Sequence, residues 1–187
     1  HRKSERIVST YMLRNRKSFY SKHAGPKADV MREGFGWLLK LAQNENKKSA
    51  LLAVPTMRNL KSGVFTEVLG NSAIQALSRG DKIVLDSLVS IQVITRRKDI
   101  HNHQGPMLVA YPNKKLLDKI DDMSDVTDVL VIPWTHEEIQ DWIKTWQAVE
   151  LGSTSTSRTT TISNPIVEEA LKDLIADINV STGIQHP

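Results

Sequence analysis

Apolar residues gather in three short runs, at 50–54, 107–111 and 129–132, and all three end alike. Pro55-Thr56, Pro112-Asn113 and Pro133-Trp134-Thr135 follow them, and each is succeeded by a stretch with helical spacing. Runs of four or five residues are too short for buried helices. Bounded by proline and small polar residues, they read as strands buried on both faces, the signature of a parallel sheet with crossover helices.

Elsewhere the period is helical. Val30, Met31, Phe35, Leu38, Leu39 and Ala42 predict a helix from a cap at Asp29 to about residue 43, in which Gly34 and Gly36 either weaken the helix or permit close packing. Helical segments at 64–69 and 72–77 are interrupted at Gly70-Asn71, where Asn71 reads as a new cap, and stop at Gly80. Over 82–95 the period changes to two. Ile83, Leu85, Val89, Ile91 and Val93 alternate with polar neighbours, predicting two strands hinged at Asp86-Ser87 as a hairpin or edge addition. Asn113 caps a helix over 114–123, and 124–128 reads as a turn. Thr135 and Glu138 have capping-box spacing ahead of Ile139, Trp142, Ile143, Trp146 and Val149, so one capped helix is expected there, with both tryptophans on its core face.

The expected organisation has four parts. Residues 1–27 form a basic arm ending at Gly25-Pro26, with Phe19 and Tyr20 among the apolar exceptions that bring part of it onto the body. Residues 28–151 form a Rossmann-like three-layer α/β domain with a mainly parallel sheet of four to five strands. A Ser/Thr-rich linker occupies 152–163. Residues 164–187 hold a tethered C-terminal amphipathic helix and tail. Its stripe is Ile166, Val167, Ala170, Leu171, Leu174, Ile175 and Ile178. A helix of that length is marginal alone, so the stripe needs a surface, and a second copy of the chain is the favoured one.

Charge changes the picture of the arm. Residues 1–27 hold eight Lys and Arg against one Glu, whereas the remaining 160 hold 17 against 20. The pI near 9.3 is therefore a property of the arm. Contact with nucleic acid through it is a minor expectation. The chain has no cysteine, which excludes disulfides, thiolate nucleophiles and thiolate zinc sites. No apolar run reaches the roughly 18 residues of a membrane span, and no apolar signal region follows the basic start. A cytoplasmic protein without membrane contact is expected.

A parallel sheet binds ligands beyond the carboxyl ends of its strands. The connection 56–63 is the best ligand candidate. It offers Thr56, Asn59 and Ser62 as donors and Arg58 and Lys61 as charge. Tyr111, Asn113, Trp134 and Thr135 end the other two strands and should converge on the same edge. The connection is neither a phosphate-binding P-loop nor a dinucleotide fingerprint, because its only glycine follows Lys61-Ser62. His101-Asn102-His103 has no third ligand in view, so no metal is expected, and no motif identifies a cofactor. No Gly-x-Ser-x-Gly elbow occurs, and the strand ends carry no carboxylate for acid–base chemistry. The reading leans away from an enzyme. It favours a module that binds or senses an anionic small molecule, a nucleotide or phosphorylated metabolite, at the strand carboxyl edge. The alternative is an interaction or oligomerisation module.

Overall fold

The computed structural model describes residues 16–46, 48–86, 88–100 and 103–152. The first 15 residues of the arm, the stripe from Ile166 to Ile178 and the pair His101-Asn102 lie outside the described residues, as does the linker after Gly152. Among the described residues, no helix is long and apolar enough to cross a membrane.

The described residues form a mixed α/β fold on one sheet. Its strands are β1 (Lys17–Tyr20), β2 (Ser49–Ala53), β3 (Ile83–Leu85), β4 (Val89–Ile94), β5 (Gly105–Ala110), β6 (Val126–Ile132) and β7 (Val149–Glu150). Their order is β3-β4-β2-β5-β6-β1-β7, seven strands where the hydrophobic pattern predicts four or five. All pairs are parallel except the β3–β4 hairpin. The helices are α1 (Ala28–Asn44), α2 (Gly63–Leu69), α3 (Asn71–Ser78), α4 (Lys114–Asp121) and α5 (Gln140–Trp146), with 3-10 turns at Met57–Lys61 and His136–Ile139.

Period-2 geometry sends alternate strand residues to opposite faces. Leu52, Leu108, Leu130 and Ile132 join one core with α1, α2 and α3. Leu51, Met107, Val109, Val129 and Val131 join another with α4 and α5. The strands β2, β5 and β6 are thus buried on both sides, which is why they read as unbroken apolar runs. Helix α1 supplies eight buried apolar side chains to the first core, including Phe35, Trp37 and Leu38. Each such side chain contributes roughly 1.5–3 kcal/mol. The helix lies close because Gly34 has no side chain: a Cβ there would stand 2.8 Å from Ile132 Cδ1 and 3.0 Å from Leu108 Cδ1.

The first departure from the sequence reading is β1. Lys17–Tyr20, placed by the sequence in the basic arm, is inserted between β6 and β7. The residue before it holds the strand down. The Arg16 guanidinium lies 4.4 Å over the Trp146 ring and donates to the carbonyls of Ile120, at 3.0 Å, and Met123. Trp146 Nε1 donates to Asp121 Oδ1 at 2.8 Å. Burial pushes the Asp121 carboxyl up to about 6, and the Trp146 bond and the Arg16 charge offset only part of that rise.

The second departure is the helix expected from Thr135 to Val149. Thr135 makes no side-chain cap bond, and the segment divides into a 3-10 turn and the short α5. Gln147 ends α5 in the left-handed region at φ 51°, and Val149 pairs with Phe19 instead. Strand pairing with β1, invisible in the helical periodicity, takes the last turn. Trp142 and Trp146 are nonetheless buried, as their spacing implied. Two smaller differences are that Gly70 rather than Asn71 is the cap of α3, and that Lys27 rather than Asp29 precedes α1. Residues 126–128, read as part of a turn, begin β6.

Two predictions follow from these contacts. Gly34→Val should lower unfolding stability by about 2 kcal/mol or more, since overpacking typically costs about 1–3 kcal/mol. Gly63→Ala, at a helix start with nothing within 4 Å of its Cβ, should be neutral or slightly stabilising. Urea titration of both variants tests the contrast. For Asp121, the folded-state pKa of about 6 exceeds the ordinary 3.8. Its contribution to stability is then fully present below about pH 4 and lost as pH rises through about 6. The urea midpoint of the parent chain, relative to Asp121→Asn, should rise as pH falls from 7 to 5. A constant gap would rule out the perturbed carboxyl.

Candidate functional site

The sheet order creates one crevice. From β2 the chain runs through α2 and α3 to β4, and from β5 it runs through α4 to β6, in the opposite direction along the sheet. The two sets of helices pack in different cores, on opposite faces. Beyond the carboxyl ends of adjacent strands β2 and β5 the connections therefore part, the position where open parallel sheets hold their ligands. A cleft of about 870 Å³ lies there. Its walls are Asn59, Ser62, Gly63, Val64 and Glu67 after β2, Tyr111 to Lys114 after β5, Trp134 and Glu138 after β6, and Pro26 after β1.

The 3-10 turn Met57–Lys61 sorts the first candidate group. With about three residues per turn, positions three apart share a side. Leu60 is fully buried and Met57 packs partly on the core. Asn59 and Ser62 line the cleft. Arg58 and Lys61 share the remaining side and line no part of it. Arg58 is exposed, and Lys61 faces a separate recess with Arg79. The charge expected of Arg58 and Lys61 is therefore not delivered to this cleft. Thr56 is exposed but committed: its backbone N–H and its hydroxyl both donate to Asn59 Oδ1, at 2.9 and 2.7 Å. That leaves the Asn59 amide nitrogen as the free end toward the cleft.

Tyr111 sits at the junction of the walls. It follows β5 with φ 51°, a left-handed conformation that is costly for a bulky side chain. Its N–H donates to the Ile132 carbonyl at 2.8 Å and its hydroxyl to the Gly25 carbonyl at 3.2 Å. Its ring meets Phe65 edge-on at 6.4 Å on one side and Trp134 at 5.5 Å on the other. Burial raises the phenol to about 12, so the hydroxyl stays protonated and keeps donating. Trp134 is 51% exposed, an unusual state for so large an apolar ring held in place. Asn113 spends its side-chain carbonyl on the Leu116 N–H, at 2.9 Å, and presents its amide nitrogen.

The loop between β1 and α1 closes one side. Gly25 N–H donates to Pro133 O at 3.0 Å, Ser21 N–H to Val131 O at 2.9 Å, and His136 Nε2 lies 2.9 Å from Ser21 O. Thr135 is half-buried and outside the lining, while Glu138, which the sequence pattern assigns to capping, is in it. Pro26, Gly63, Val64, Glu67, Pro112, Lys114 and Glu138 line the cleft beyond the residues that the sequence pattern singles out. Gly63, Val64 and Glu67 share one helical face, a signal present in the spacing once that face is known to look outward. Pro26 had no such signal, because β1 was not recognised.

The walls thus carry two carboxylates, one ammonium, two side-chain amides and one presented indole. No imidazole lines them. Among the described residues, no group of three or more His, Asp or Glu is placed to hold a metal. Comparison with protein-family models, curated proteins and solved structures finds no match for this chain.

Removing the Tyr111 hydroxyl tests the junction. Tyr111→Phe should remove one of two bonds to the Gly25 carbonyl, which keeps the Lys27 N–H at 2.9 Å, and cost about 1 kcal/mol of unfolding free energy. Urea denaturation measures it, and an unchanged midpoint would show that the bond carries nothing.

Proposed function

We propose that this is a Rossmann-like three-layer binding module whose cleft takes a small molecule with a planar ring and a single anionic group, a nucleoside monophosphate being the simplest example. The observation that carries the reading is the half-exposed Trp134, fixed edge-on against Tyr111 at the lip of a crevice between diverging crossovers. A ring stacked on the free indole face would bury surface that otherwise stays wet. Lys114 and the Asn113 amide at the start of α4 suit one anionic group. Glu138, and in lesser degree Glu67, which Arg32 approaches at 3.7 Å, accept hydrogen bonds from hydroxyls and repel further negative charge. The charge balance of the walls therefore favours a monoanion or dianion over a triphosphate.

The test is a thermal-shift screen of nucleosides, their mono- and triphosphates and phosphorylated sugars. A ligand at a hundredfold over its dissociation constant stabilises by roughly 2.7 kcal/mol. Monophosphates should exceed triphosphates. Trp134→Ala should abolish the shift while leaving the unliganded midpoint nearly unchanged, and Lys114→Ala should weaken it. A shift that survives Trp134→Ala would move the site elsewhere. No shift from any compound, with a dimer in light scattering that becomes a monomer on truncation after Gly152, would replace this reading with self-association through the stripe from Ile166 to Ile178.

A further inference from the structure

Helix α2 has a recess on each side. Glu67 faces the cleft just described, while its neighbour Thr66 faces a second groove of about 420 Å³. That groove opens because α2 and α3 meet at Gly70, whose φ of 86° turns the chain sharply between them. Its other walls are Lys61 from the 3-10 turn, one face of α3 at Asn71, Ile74, Gln75 and Ser78, and Arg79. The two recesses differ in charge. Two carboxylates line the cleft, whereas no acidic residue lines the groove and two cations do.

The polar groups of the groove are largely uncommitted. Lys61, Asn71 and Gln75 are exposed, and none of their side chains has a hydrogen bond or ion pair with another described residue. The Ser78 hydroxyl is buried and has no partner. Nine buried side-chain polar atoms among the described residues lack a partner, and the Ser78 hydroxyl is the one of them that lines this groove. Arg79 is held by Asp81 at 3.2 Å through Nε, which leaves its two terminal nitrogens free to donate. Ile74, 6% exposed, gives the groove an apolar floor.

We propose that this groove is an oxyanion site for a small phosphate monoester, with Lys61 and Arg79 supplying charge and Asn71, Gln75 and Ser78 supplying directed hydrogen bonds. Guanidinium and ammonium groups with neutral donors between them match the tetrahedral oxygens of such a group. The volume exceeds that of a lone phosphate, so the ester's organic portion rests on Ile74. The proposal does not depend on the reading of the Trp134 cleft.

The test is a two-dimensional NMR titration of the full chain with glycerol phosphate at constant ionic strength. The side-chain amide signals of Asn71 and Gln75 should shift and saturate in the millimolar range. The double variant Lys61→Ala/Arg79→Ala, both at exposed positions, should weaken the apparent affinity by about tenfold or more, since two charge-assisted bonds are lost. Trp134→Ala should leave these shifts unchanged, which separates the groove from the cleft. Shifts that grow linearly without saturating, that persist in the double variant, or that centre on Asn113 and Lys114 would each overturn the assignment.

Discussion

The handedness of the crossovers is the constraint from which the rest follows. A parallel strand connection packs back on the sheet in the right-handed sense only. Connections that run one way along this sheet must therefore cover one face, and those that run the other way must cover the opposite face. Helices α1, α2 and α3 lie with the first core and α4 and α5 with the second, in agreement with that rule. Once β2 and β5 are neighbours with connections in opposite directions, a crevice beyond their carboxyl ends cannot be avoided. The remaining residues only decide what the crevice presents.

What it presents depends on packing that starts deep in the core. Phe65 is fully buried, Tyr111 leans on it, and Trp134 leans on Tyr111, so the exposed indole is the last ring of a series anchored inside. The left-handed backbone at Tyr111 is held by bonds at both ends of the residue, from its N–H to Ile132 and from its hydroxyl to Gly25. Strain of this kind persists only where the surroundings over-determine it. Close approach of α1 through Gly34 packs against Leu108 of β5 and against the same Ile132 of β6.

The three central strands and the hairpin were legible because burial on two faces, or on one, writes a different period into the sequence. Asn113 was legible as a cap because its chemistry is local, and the bond to Leu116 forms as expected. Non-local features were not legible. Lys17–Tyr20 carries no apolar run, and its pairing with β6 and β7 is a contact between distant parts of the chain. Losing β1 also hid the true end of the Trp142 helix, since Val149 reads as a helical position until its partner Phe19 is known. In the site, the sequence grouped 56–63 as one polar loop. The threefold turn of a 3-10 helix splits that group into residues for the cleft, for the core and for the groove, a division that spacing alone does not announce.

The placement of β1 also orders events in time. Of the described strands it is the first to leave the ribosome, yet both of its neighbours, β6 and β7, lie more than a hundred residues downstream, as the span from Arg16 to Ile120 already shows. At translation speeds of roughly 5–20 residues per second, β1 waits on the order of 5–20 s for a partner. A four-residue strand with basic neighbours can wait without pairing elsewhere, because it is short and charged. The same shortness that hides it in the sequence thus keeps the nascent chain out of wrong sheets. Among the described strands, the earliest is claimed by the two latest.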